Sequence, residues 1–154
     1  MRRWLWLSLV VVLLDQATKL LVERLMALHE TMALVPGLLN LTRMHNSGAA
    51  FSFLAGAGGW QRWFFISVAL LVSAVIMIWL TRLRRNERWL AAALALVLGG
   101  ALGNVWDRLA HGYVIDFIDL YYGQWHWPAF NVADSAITIG AAMILIDAVR
   151  GGGR

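Results

Sequence analysis

The sequence predicts an all-α membrane protein: four transmembrane helices with a small extended, β-containing segment on the extracytoplasmic side. Three observations predict it. Hydrophobic residues make up 60% of the 154-residue chain and charged residues 14%, which is more apolar surface than a water-soluble domain of this size hides in a core. The apolar residues gather in four runs, each close to the roughly 20 residues that a helix needs to cross a bilayer. All nine tryptophans fall near the ends of these runs, at the boundary of lipid and headgroups that suits an apolar ring carrying one N–H donor.

Span one covers about residues 4–25, opened by Trp4 and Trp6 and interrupted by Asp15 and Lys19. Arg2 and Arg3 before an apolar stretch resemble the start of a signal peptide, but no small-x-small cleavage site follows, so the segment is expected to be retained. In the outer segment 26–62, residues Leu38 to Phe53 mix polar and apolar positions at a period near two, which predicts short strands on the membrane surface. Gly56, Gly58 and Gly59 then give a flexible approach to span two, residues 63–80, with Trp60 and Trp63 at its start and Trp79 at its end. Trp89 and Trp106 bracket span three, residues 89–106, where the spacing of Gly99 and Gly103 permits close helix packing. The outer segment 107–129 carries Val114, Ile115, Phe117 and Ile118, too few for a crossing and enough for an extended stretch. Span four runs over 130–149, and the absence of an internal repeat or linker predicts one domain.

Arginines set the expected orientation, because short loops rich in Lys and Arg stay cytoplasmic. Arg2 and Arg3 precede span one, Arg82, Arg84, Arg85 and Arg88 crowd the loop between spans two and three, and Arg150 and Arg154 follow span four. Both termini are therefore expected in the cytoplasm, with the two outer segments on the opposite side. The net charge of +4 is spread in small clusters at membrane boundaries, so it is a topology signal and no nucleic-acid partner is expected. With no cysteine in the chain, disulfides, thiolate nucleophiles and cysteine-bound zinc are excluded. His29, His45, His111 and His126 form no His-Glu-x-x-His pattern, and neither a metal nor another cofactor is expected.

Ionisable groups that border a membrane are costly, and each invites a functional question. Asp107, Asp116, Asp119 and Asp134 gather at the outer boundary, accompanied by Asn46, Asn104, Arg108 and Asn131. Asn104 and Arg108 are four apart and share a helix face. Asn131 with Asp134 three positions later also reads as a capping box, and Asn46-Ser47-Gly48 as a turn. Individually these structural readings suffice; jointly, three separate pieces of chain bring polar groups to one boundary. Two carboxylates in a partly dry pocket share one proton, so that one member takes a proton from water while the other donates. Asp116 and Asp134 are the favoured pair: Asp116 between Ile115 and Phe117 sits where the neutral acid is preferred, and Asp134 lies near a helix N-terminus that favours its ionised form.

Five ordered stretches resemble the lipoprotein signal peptidase family, also called signal peptidase II. They are Asp15 to Lys19 (DQATK), Asn46 to Phe51 (NSGAAF), Gly99 to Arg108 (GGALGNVWDR), Gly112 to Phe117 (GYVIDF) and Phe130 to Ser135 (FNVADS). The resemblance implies a bacterial inner-membrane aspartyl endopeptidase in which Asp116 and Asp134 are catalytic. Asn46, Asn104, Arg108 and Asn131 would hold the substrate and the catalytic groups, while Asp15 and Lys19 would support the fold as an intrahelical pair. It implies as substrate a prolipoprotein cut before a diacylglyceryl-modified cysteine at the outer face of the membrane, with membrane lipid as the other partner and the chain acting as a monomer.

Two other readings compete. A serine peptidase would use Ser47 with His45 or Lys19, but Ser47 lacks a Gly-x-Ser-x-Gly setting. A proton-coupled transporter or a scaffold would use the acids as relays or ion pairs, although such acids tend to lie near mid-membrane and accompany inverted repeats.

Overall fold

The computed structural model describes residues 2–48 and 58–151. Ala49 to Phe51 of the Asn46 motif, the expected strand up to Phe53, Gly56 and Arg154 lie outside them. After a 3-10 turn at Arg2–Trp4, the helices are α1 (Leu5–Leu25), α2 (Trp60–Arg82), α3 (Arg88–Ala110) and α4 (Val132–Val149). All four are long and apolar enough to cross a membrane. Each starts or ends within a few residues of the spans expected from hydropathy.

α3 is the central post. Within its most apolar stretch 67% of the residues are buried, against 28% for α1, 22% for α2 and 17% for α4, so three helices lean on one and present their other faces to lipid. Leu13, Leu21, Leu71, Val75 and Leu145 are accordingly exposed, an arrangement stable only in an apolar solvent. Small residues bring α3 close to its neighbours. A Cβ on Gly99 would stand 2.8 Å from the Ser8 carbonyl oxygen and 2.7 Å from Val11 Cβ on α1, and one on Gly103 would stand 2.7 Å from Asp15 Oδ2. On the opposite side Gly100 leaves no room for a Cβ against the Ala133 carbonyl of α4. Ile76 and Leu80 of α2 close the core with Leu90, Leu94 and Leu98 of α3.

A four-stranded antiparallel sheet caps one end: β1 (Thr31–Val35), β2 (Leu39–Asn46), β3 (Val114–Tyr122) and β4 (Trp125–His126), in spatial order of the sequence. β3 is the expected extended stretch, carried farther than its apolar residues alone suggested. Alternation sends Ile115 and Phe117 to one face and Val114 and Asp116 to the other. Phe117 packs on Val22 and Met26 at the end of α1, which fastens the sheet to the bundle. The segment entering α4 then pairs with β3: Phe130 accepts from the Phe117 and Ile118 amides at 3.0 and 2.8 Å and donates to the Ile118 carbonyl at 3.0 Å. That pairing carries the first turn of α4 beside Asp116.

The close approach of α1 and α3 gives a stability expectation. Gly99→Ala has to push back the Ser8 backbone, and should destabilise the protein by about 1–3 kcal/mol, as overpacking does. A lowered midpoint of thermal unfolding in detergent is the measurement, and an unchanged midpoint would show that the helices separate at little cost.

Candidate active site

Asp116, in β3, is 3% exposed, and its carboxylate accepts from two amides, Asn46 Nδ2 to Oδ2 at 3.0 Å and Asn131 Nδ2 to Oδ1 at 2.8 Å. Asp134, in the first turn of α4, accepts from Asn104 Nδ2 on Oδ1 at 2.8 Å and from the Asn131 backbone N–H on Oδ2 at 3.3 Å. Asn131 therefore touches both acids. Its own Oδ1 accepts the Asp134 N–H at 2.9 Å, so the capping box read from the sequence is present and is part of the site. A backbone N–H only donates, which fixes Oδ1 of Asn131 toward Asp134 and Nδ2 toward Asp116.

The strands and helices place the rest. Asn46 ends β2 opposite Val114, and its Oδ1 also accepts from the Gly48 N–H at 3.0 Å, holding the turn that the sequence suggested. Asn104 and Arg108 project from one face in the last turns of α3, where Arg108 Nη2 donates to the Gly48 carbonyl at 2.8 Å and Nη1 to the Asn104 carbonyl at 3.4 Å. The Arg108 guanidinium lies 5.2 Å from the centre of the Phe65 ring. Asn46, Asn104, Arg108, Asp116 and Asp134 all line a cavity of about 710 Å³, whose remaining wall is mostly apolar and includes Leu120, Trp127, Phe130 and Ile139. Asn131 is fully buried behind that wall. Burial, and then the neighbouring Asp134 charge, push the Asp116 carboxyl up to about 7, against the donors Asn46 and Asn131 that favour the ionised form. A cavity of this kind offers a carboxyl that holds a proton near neutrality, a second carboxylate beside it, a guanidinium and an apolar wall.

Two of the acids singled out in the sequence serve elsewhere. Asp119 has the opposite parity from Asp116 on β3 and turns away from the cavity, bonded to Asn40 Nδ2 at 2.8 Å and to His126 Nδ1 at 2.9 Å. Alternation along the strand is the signal that separates the two. Asp107 is 1% exposed and pairs with Lys19 at 2.7 Å, while its Oδ1 accepts from Gln16 Nε2 at 2.7 Å. Sequence reading missed Gln16, and it paired Lys19 with Asp15 alone; contacts between distant segments leave no local pattern. The serine-peptidase alternative fares poorly in this geometry. The Lys19 ammonium is taken up by two carboxylates and Asn104, and the His45 ring stacks on Tyr113 with centres 3.8 Å apart.

Comparison with known proteins meets this arrangement independently. Residues 7–150 match the family model described as Signal peptidase (SPase) II. A lipoprotein signal peptidase of Pseudomonas fluorescens (strain Pf0-1) is 56% identical over 145 residues, covering 94% of this chain and 85% of its own. One from Alteromonas mediterranea is 54% identical over 150 residues, covering 97% and 82%. Two solved structures described as bacterial membrane enzymes, determined by the in meso method, superpose on the chain. One gives a TM-score of 0.89 at 29% identity over 99% of this chain and 91% of its own, the other 0.81 at 31% identity over 95% and 92%. With the match running through all four helices and the sheet, the chain belongs to the signal peptidase II family of aspartic-type membrane peptidases.

Proposed function

We propose that the protein removes signal peptides from prolipoproteins by cutting before a diacylglyceryl-modified cysteine, with Asp116 and Asp134 as the catalytic pair. The observation that carries this is the single buried amide, Asn131, that bonds both carboxyl groups at the edge of one cavity. Asp116 begins as the neutral acid and Asp134 as the carboxylate. A water molecule between them attacks the scissile carbonyl carbon, giving one proton to Asp134, while Asp116 donates its proton to the carbonyl oxygen. The tetrahedral intermediate returns a hydroxyl proton to Asp116 as the carbonyl reforms. The leaving nitrogen takes the proton from Asp134 as the C–N bond breaks, and the pair is back in its starting state.

Asn46, Asn104 and Asn131 hold the two carboxyls in place, and Arg108 with Asn46 faces the substrate backbone across the cavity. The apolar wall suits acyl chains and a signal helix entering from the bilayer, since Ile139 on α4 is half exposed on the lipid side. One domain and one chain carry every one of these residues, which supports action as a monomer. Of the described arginines, Arg3, Arg82, Arg84, Arg85, Arg88 and Arg150 lie at the bundle end away from the sheet, four of them in or beside one short loop, while Arg24, Arg43, Arg62 and Arg108 lie toward the sheet; the crowded short loop supports cytoplasmic termini and an active site at the outer face.

Purified protein incubated in detergent with a diacylglyceryl-modified precursor should release a product beginning at the lipidated cysteine, read by mass spectrometry. Asp116→Asn and Asp134→Asn should each cut the rate by at least about 10²–10⁴-fold, the usual contribution of a positioned acid or base. Unimpaired cutting by either variant, correctly folded, removes that residue from the mechanism.

Acidity provides a separate check. Asp116 holds its proton up to about 7 in the fold and only to 3.8 when unfolded, so the folded state binds more protons across that window and loses stability as pH rises through it. The thermal midpoint of the native chain should fall over this range relative to Asp116→Asn, and turnover should decline above about pH 7. Parallel midpoints for the two proteins would mean that Asp116 is not raised.

A further inference from the structure

Lys19 is the only lysine in the chain, and it is 1% exposed inside a membrane-spanning helix. An ammonium carries three hydrogens and no acceptor. All three are directed: to Asp15 Oδ2 at 2.7 Å, to Asp107 Oδ2 at 2.7 Å and to Asn104 Oδ1 at 3.2 Å. The two carboxylates balance its charge. The third bond does something else, because the far side of the same Asn104 amide contacts Asp134.

Since the ammonium only donates, Asn104 must turn its oxygen toward Lys19, which leaves Nδ2 to donate to Asp134 Oδ1 at 2.8 Å. The flipped amide would set a carbonyl oxygen against a carboxylate oxygen. Asn131 Nδ2 also reaches Asn104 Oδ1, at 3.3 Å, but its two hydrogens are divided among that oxygen, the Ile115 carbonyl at 3.3 Å and Asp116 Oδ1 at 2.8 Å. That shared contact is the weaker of the two, and the charged donor dominates.

We propose that Lys19 is a positioning residue of the peptidase reaction, acting through Asn104 to keep an N–H donor on Asp134 and so hold its carboxylate toward the water. The assignment rests on Asp134 belonging to the catalytic pair. It adds to the fold-supporting role of the Asp15–Lys19 pair and does not replace it.

A double-mutant cycle on turnover separates this from a purely structural role. The variants are Lys19→Met, Asn104→Ala and the two combined, each assayed for kcat and KM on the diacylglyceryl-modified precursor and checked for thermal unfolding. Lys19→Met should lower kcat roughly 10-fold, the worth of one charged hydrogen bond, with KM held within about twofold. In the Asn104→Ala background the same change should alter kcat by less than about twofold, because the relay is already cut. Effects that multiply, an unchanged kcat, or a loss confined to KM would each overturn the proposal. Should Lys19→Met fail to fold, Asp15→Asn with Lys19→Met removes one charge of each sign and is compared with Asp15→Asn alone under the same criteria. A failed cycle alongside inactive Asp116→Asn and Asp134→Asn proteins would reject only the relay; active aspartate variants would reject the catalytic pair itself.

Discussion

The structure depends on keeping one buried ammonium paired. Lys19 sits on α1, Asp107 on α3, and Asp15 returns from α1 to accept the Ala133 N–H of α4 at 2.9 Å, while Asp107 Oδ2 also accepts from Ile115 of β3 at 3.2 Å. Four elements thus meet around one charge. In hydrocarbon a lone ion has no water to fall back on, so the geometry that satisfies all partners is strongly selected over neighbouring ones. Tight helix contacts follow from the same need. Gly103 lets the Asp15 carboxylate lie against α3, and a methyl group there would stand 2.7 Å from its oxygen.

The cavity is the outward face of this polar centre. Asn104 belongs to both, accepting from Lys19 on one side and donating to Asp134 on the other. Asn131 links the second pair of elements in the same way, capping α4 while holding Asp116 of β3. A helix N-terminus needs its free N–H groups satisfied, and the residues that do so here, Asn131 and Asp134, are also members of the candidate site. Capping and site-building are therefore not alternatives for Asn131 and Asp134: the cap is what fixes the carboxylate in space.

Much of this was legible in the sequence for local reasons. Span length and tryptophan placement depend only on the thickness and chemistry of a bilayer, so hydropathy located all four helices. The helix ends drifted because polar residues such as Gln61 and Asp107 continue the helical hydrogen bonding past the apolar run. The six polar residues around the cavity were found by their shared boundary. What stayed hidden was which acid serves which partner. Asp107 and Asp116 look alike as boundary carboxylates, yet one is consumed by Lys19 and Gln16 and the other faces the cavity. Only contacts between α1 and α3, about 90 residues apart in sequence, make that distinction.

The division of labour between the acids also bears on the proposal that the site lies at a membrane edge. Asp15 and Asp107 each meet the Lys19 ammonium at 2.7 Å. Among the described residues Asp116 has only neutral amides as hydrogen-bond partners; it is buried beside Asp134, and it keeps a proton to about 7. Deeper in the bilayer water could not reach the pair, and farther out the dielectric of water would erase the raised pKa. At the boundary proposed for the site, a carboxyl is dry enough to hold a proton for the scissile carbonyl and still near enough to solvent for a water molecule to enter between the pair. There the sheet supplies one acid from β3 and the bundle the other from the first turn of α4, and the Phe130 pairing with β3 keeps the two sources in register.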